Sequence, residues 1–97
     1  MNEENLKKEE AYLFGTADGF SEYLSEVLKD SKYSEVKDAI ARAVLCKGIG
    51  DTAQEAKVSR VSLYRGYVAR SNEPSLENFL SVLDALGVEL TAVPKTE

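Results

Sequence analysis

Arg60, Val61, Ser62, Tyr64 and Arg65 crowd into the end of one short stretch, GIGDTAQEAKVSRVSLYRGY, running from Gly48 to Tyr67. Their chemistry is that of a nucleic-acid groove. Arginine can grip guanine O6 and N7 with two hydrogen bonds, serine can bond a base edge or a phosphate, and valine can meet a thymine methyl. The Tyr64 hydroxyl suits a phosphate, as do Ser59 and the cations Lys57 within the stretch, Arg70 after it, and Arg42 and Lys47 before it. Catalytic chemistry is poorly served. The chain has no histidine and a single cysteine, Cys46, which excludes His-based acid–base or triad chemistry, Cys/His metal sites and an internal disulfide. The carboxylates are scattered over polar helix faces, so no enzyme activity, metal or cofactor is expected.

The net charge of −5 over 97 residues argues against nucleic acid until the chain is divided. Residues 1–39 carry five Lys against ten Asp and Glu, a balance of −5. Residues 40–72 carry Arg42, Lys47, Lys57, Arg60, Arg65 and Arg70 against Asp51 and Glu55, a balance of +4, and residues 73–97 carry −4. Phosphate attraction acts locally, within a Debye length of about 8–10 Å, so the position of the positive segment matters more than the total.

The length and 43% hydrophobic content describe one small domain with a single core. No run approaches the roughly 18 apolar residues of a membrane span, and MNEENLKKEE lacks the apolar stretch of a signal peptide. A cytoplasmic protein with no membrane partner is expected.

Periodicity assigns an all-α fold of about five helices. Residues 1–14 read as a flexible acidic tail or weak helix, with Tyr12, Leu13 and Phe14 as an apolar patch; residues 15–97 form the domain. Phe20, Tyr23, Leu24, Val27 and Leu28 make the stripe of a helix over 18–30, capped by Thr16 or Asp18. Val36, Ala39, Ile40, Ala43 and Val44 mark a helix over 34–47, starting near Ser31 or Ser34 and stopping at Gly48, with Cys46 placed in its core. Short helices follow at 51–57 and 60–69. After the loop Ser71-Asn72-Glu73-Pro74, Ser75 caps a helix over 76–86 in which Leu76, Phe79, Leu80, Leu83 and Leu86 point inward, closed by Gly87. Residues 88–93 alternate apolar and polar up to Pro94, a strand signal. Such a strand needs a partner, either its copy in a second subunit or the Tyr12-Leu13-Phe14 segment.

The central stretch follows the positional grammar of a helix-turn-helix. Ala53 and Ala56 provide the small residues where two helices cross, Val58 plugs the turn, Ser59 caps the second helix and Leu63 anchors its inner face. Arg60, Val61, Ser62, Tyr64 and Arg65 are left outward, while Tyr67 is read as a packing residue. Lys57 stands where the turn calls for φ > 0, and Gly66 weakens the second helix.

From about Phe14 to Pro94 the chain resembles the addiction-module antidote proteins, antitoxins of type II toxin–antitoxin pairs with a lambda-repressor-like (Xre/Cro-type) helix-turn-helix. The resemblance is carried by Tyr23-Leu24 with Val27-Leu28, by Ile40-Ala41-Arg42-Ala43 running to Gly48, by Val58-Ser59-Arg60 followed by Leu63-Tyr64-Arg65, and by Ala85-Leu86-Gly87-Val88. It implies a protein that binds the double-stranded DNA operator of its own operon as a homodimer, represses that operon, and neutralises a co-encoded toxin of the RelE/ParE superfamily. Acidic Glu22, Glu26, Asp30, Glu35 and Asp38 would complement a basic toxin. Two other readings of the residues stand beside it: a stand-alone Cro-like repressor, and an interaction module that does not bind DNA.

Overall fold

The computed structural model of the chain describes residues 3–30 and 32–96, and these are all-helical, with no strand among them. The elements are α1 (Glu3–Gly15), α2 (Ala17–Asp30), α3 (Tyr33–Lys47), α4 (Ile49–Ala56), α5 (Arg60–Leu63, running directly into a π-helical turn at Tyr64–Val68) and α6 (Leu76–Ala85).

The core forms around α3, which touches α1, α2, α4 and the π-helical turn. Its small and β-branched stripe, Val36, Ala39, Ile40, Ala43 and Val44, is buried, because short side chains let several helices approach one axis. Phe20, Leu24 and Val27 of α2, Ala53 and Ala56 of α4, Leu63, Tyr67, and Val82 and Leu83 of α6 complete it.

The segment read as an acidic tail is helical from Glu3 to Gly15. A helix this short and charged is marginal alone, so its docked end holds it in place. Phe14 is buried with its ring edge-on to Tyr23 at 5.2 Å. Gly19 lets the two backbones meet, since a Cβ there would run into the Tyr12 carbonyl. The Thr16 hydroxyl joins the helices, donating to the Tyr12 carbonyl at 2.8 Å and accepting from the Gly19 amide at 3.0 Å. Thr16, not Asp18, is therefore the cap of α2.

At the start of α3 the cap position falls on Lys32, with no side-chain capping bond, and Ser34 lies inside the helix; Ser31 lies outside the described residues. Cys46 is exposed, contrary to its expected burial. Its sulfur faces Gly15, at 3.2 Å from where a Cβ would stand, and a residue without a side chain cannot cover it.

Residues 88–96 form no strand. One of the two partners open to them, Tyr12-Leu13-Phe14, is locked into α1, and the alternating pattern has nothing within the described chain to pair with. On α6 the buried side is Val82, Leu83 and Ala85, with Phe79 and Leu86 partly covered, while Leu76 is 70% and Leu80 45% exposed. Leu28 is likewise exposed on α2. Spacing alone located an apolar stripe on α6, but the helix is rotated so that the edge of that stripe lies outside the core.

Candidate nucleic-acid interface

α4 ends with two paired bonds: the Val58 amide donates to the Ala53 carbonyl at 3.1 Å and the Lys57 amide to that of Gln54 at 3.3 Å. This Schellman closure places Lys57 at φ 60°, ψ 41°, a left-handed conformation that costs an L-residue about 1–2 kcal/mol. Val58 is half-buried behind the turn. Ser59 then caps α5, its hydroxyl accepting from the Ser62 amide at 2.9 Å.

The inner side of α5 is firmly held. Leu63 and Tyr67 have no exposed surface. The Tyr67 hydroxyl donates to Asn78 Oδ1 at 2.9 Å, the Asn78 amide nitrogen donates to Ser62 Oγ at 3.3 Å, and the Asn78 backbone amide donates to Ser75 Oγ at 3.0 Å. This relay ties α5 to α6. Burial pushes the Tyr67 hydroxyl well above its ordinary pKa of 10.0, with Tyr33 adding to the shift, so Tyr67 remains a neutral donor.

The helix widens to a π-helical turn at Gly66, where the ring of Pro74 crosses; a Cβ on Gly66 would lie 3.2 Å from Pro74 Cγ. Gly66 thus allows the 71–75 loop to approach closely. Arg70, at φ 57°, ends the helix, and the Ser71 amide turns back to the Arg65 carbonyl at 2.9 Å.

The outer side carries Arg60, Val61, Tyr64 and Arg65, all exposed, with Val61 at 56% and Tyr64 at 51%. They fall one turn apart in pairs, Arg60 with Tyr64 and Val61 with Arg65, so one face presents all four. The exposed Lys57 sits at the turn above them. Ser59 and Ser62 are partly engaged within the fold, through the cap and through Asn78 respectively.

The other expected phosphate contacts are engaged in pairs. Asp38 takes Arg70 at 2.8 Å and Arg42 at 3.1 Å, and the Arg42 guanidinium also lies over the Phe14 ring at 5.7 Å. Lys47 pairs with Glu55 at 3.0 Å and donates to the Ala85 carbonyl at 3.0 Å. Among the described residues, the cations of the positive segment without an ion pair are Lys57, Arg60 and Arg65. Asp38 and Asn78 were not singled out for these tasks by sequence, since their partners Arg70 and Tyr67 are remote along the chain.

Two further features bear on the surface. Lys37 is buried and pairs with Glu73 at 2.6 Å while lying over the Tyr33 ring at 4.9 Å, which clips the 71–75 loop to α3. On the α1–α2 side, Glu22 stands 3.4 Å from the Tyr12 hydroxyl and its charge pushes that hydroxyl's pKa up. The described residues hold no cluster of three or more His, Cys, Asp or Glu able to bind a metal, and no helix among them is long and apolar enough to cross a membrane.

These features define a class: a small all-α domain that holds one short helix by its inner side and offers unpaired cations on its outer side. The chain belongs to the family of probable addiction module antidote proteins, whose model matches residues 7–94. No curated protein and no solved structure matches the chain.

Proposed function

We propose that this antidote is a DNA-binding antitoxin of a type II toxin–antitoxin module: α4, the turn and α5 form an Xre/Cro-type helix-turn-helix that binds the operator of its own operon and represses it. The observation that carries the reading is the set of unpaired cations, Arg60 and Arg65 on the exposed side of a helix whose other side is sealed and Lys57 at the turn before it. A helix held in this way can enter a major groove without deforming. Arg60 and Arg65 read bases, with Val61 against a thymine methyl; Lys57, Tyr64 and Ser59 contact phosphate, and Ser62 holds α5 in register through Asn78. Arg70 joins the phosphate contacts by exchanging Asp38 for DNA.

The partner to be neutralised is a RelE/ParE-like toxin, a basic protein drawn to the acidic α1–α2 side, where Asp18, Glu22, Glu26 and Asp30 are exposed. The protein acts as a homodimer on a palindromic site, with half-sites about 34 Å apart. An antidote of this kind is a regulator and carries out no catalysis.

The test is fluorescence anisotropy with the DNA directly upstream of the gene. Arg60→Ala or Arg65→Ala should each cost about 1–3 kcal/mol on the preferred site and relax base preference at one position. Unchanged sequence preference in both variants would refute their base-reading role.

A further inference from the structure

Four apolar or half-apolar residues, Tyr33, Pro74, Leu76 and Phe79, gather with Ser75 beside the start of α6. Tyr33 at the start of α3 is 47% exposed, Leu76 is 70% exposed, and with Pro74, Ser75 and Phe79 they line a groove of about 300 Å³. Leu80 follows Leu76 by one turn of α6 and is also exposed. Within the described chain nothing covers this face.

We infer that this face docks a second copy of the chain about a two-fold axis, the Leu76 side chain of each copy seated between Tyr33 and Phe79 of the other. The inference rests on the homodimer part of the function proposed above. It supplies the surface for that dimer, which neither the family nor the α5 geometry specifies.

Shape is the first argument. A two-fold contact needs a patch that complements itself, and this one carries both a projecting side chain, Leu76, and a socket beside it. Charge is the second. Lys32, immediately before Tyr33, and Glu77, immediately after Leu76, are exposed and have no ion pair among the described residues. Seating Leu76 by the other copy's Tyr33 brings Glu77 of one copy towards Lys32 of the other, twice over. A patch that holds one charge of each sign suits its own copy better than a uniformly basic partner, which the acidic α2 surface would attract instead.

Area is the third. Tyr33, Leu76 and Leu80 at these exposures offer roughly 300 Å² of side-chain surface, a substantial part of the about 800 Å² per partner that a stable interface buries. That is the proportion expected of an apolar centre whose polar rim, here Lys32, Ser75 and Glu77, supplies the remainder. None of Lys57, Arg60, Val61, Tyr64 or Arg65 lines the groove, and the rim residues Ser75 and Glu77 share a neighbouring cleft with Lys57.

Sedimentation equilibrium on the full chain tests the inference. The unsubstituted protein should be a dimer, and Leu76→Glu should weaken it about 100-fold, because the two-fold removes the same contact twice and buries a carboxylate in its place. Lys32→Glu and Glu77→Lys lie on the exposed rim; each should weaken the dimer, and the two together in one chain should restore it. A monomeric unsubstituted protein would overturn the dimer reading as a whole. A dimeric protein whose Leu76→Glu variant, folded by circular dichroism, remains equally dimeric would overturn this surface alone. A Leu76→Glu variant that loses toxin binding while staying dimeric would also overturn it, in favour of a toxin face.

Discussion

Replacing Tyr67 by Phe removes one oxygen from the interior and isolates the bond that fixes α5 against α6. The ring stays buried, so no cavity forms, and the change is confined to the 2.9 Å bond to Asn78 Oδ1. A net hydrogen bond is worth about 0.5–1.5 kcal/mol, and because Asn78 is only half-buried, its freed oxygen can turn to water; a loss of about 1 kcal/mol follows. For a domain of this size that lowers Tm by about 4–8 °C. Asn78→Ala should cost more, about 1–3 kcal/mol, since it leaves the Tyr67 hydroxyl fully buried without an acceptor and also releases Ser62. The double variant should then cost less than the two single changes together, with a coupling of about 1 kcal/mol. Urea unfolding followed by far-UV circular dichroism measures all three. Additive losses would refute the relay, and so would Asn78→Ala variants that bind upstream DNA as tightly as the parent at a temperature where both remain folded.

Further outcomes follow from the same geometry. Gly19→Ala should destabilise by about 1–3 kcal/mol despite its better helix propensity, because its Cβ would meet the Tyr12 carbonyl and push α1 off α2; chemical denaturation reads this, and a gain in stability would contradict the close approach. Lys57→Gly should stabilise by about 0.5–1 kcal/mol, the relief of the left-handed backbone less the added freedom of the unfolded chain, while lowering the salt dependence of DNA binding by about one phosphate contact. Alkali should destabilise the fold from about pH 10 upward: the folded pKa of Tyr67 lies above its unfolded value of 10.0, so its contribution is intact below pH 10 and is lost as pH rises and the unfolded state alone ionises. Tyr12 shifts in the same direction. Tyr67→Phe should flatten that decline in a pH series of denaturation curves, and an unchanged slope would show that Tyr67 is not its source.

Much of the helical layout was legible from residue pattern. The helices expected over 18–30, 34–47, 51–57, 60–69 and 76–86 correspond to α2–α6, with ends displaced by one or two residues. The small residues Ala53 and Ala56, the caps Ser59 and Ser75, the closing Gly87 and the buried Tyr67 lie where local chemistry put them, because caps and turns are settled within a few residues of chain. The left-handed turn was foreseen in the same way at Lys57, whose side chain is the wrong one for it and whose backbone adopts it nonetheless.

Residue pattern alone carried the helical class, the order of α2–α6, the family and the positive charge of the α4–α5 segment, while it placed a strand over 88–93 that does not form. How that charge is shared depends on contacts made in space. Asp38 reaches Arg70 across 32 positions, Lys37 reaches Glu73 across 36, and Lys47 reaches the Ala85 carbonyl across 38. Partners so distant along the chain leave no periodic trace, so arginines and lysines that look alike in sequence divide into those tied down within the fold and those, Lys57, Arg60 and Arg65, left facing outward. The same applies to α1 and α6. A charged helix becomes stable when Gly19 admits it to α2, and an apolar stripe becomes partly surface when packing against α4 sets its rotation, because both outcomes depend on which faces meet in space.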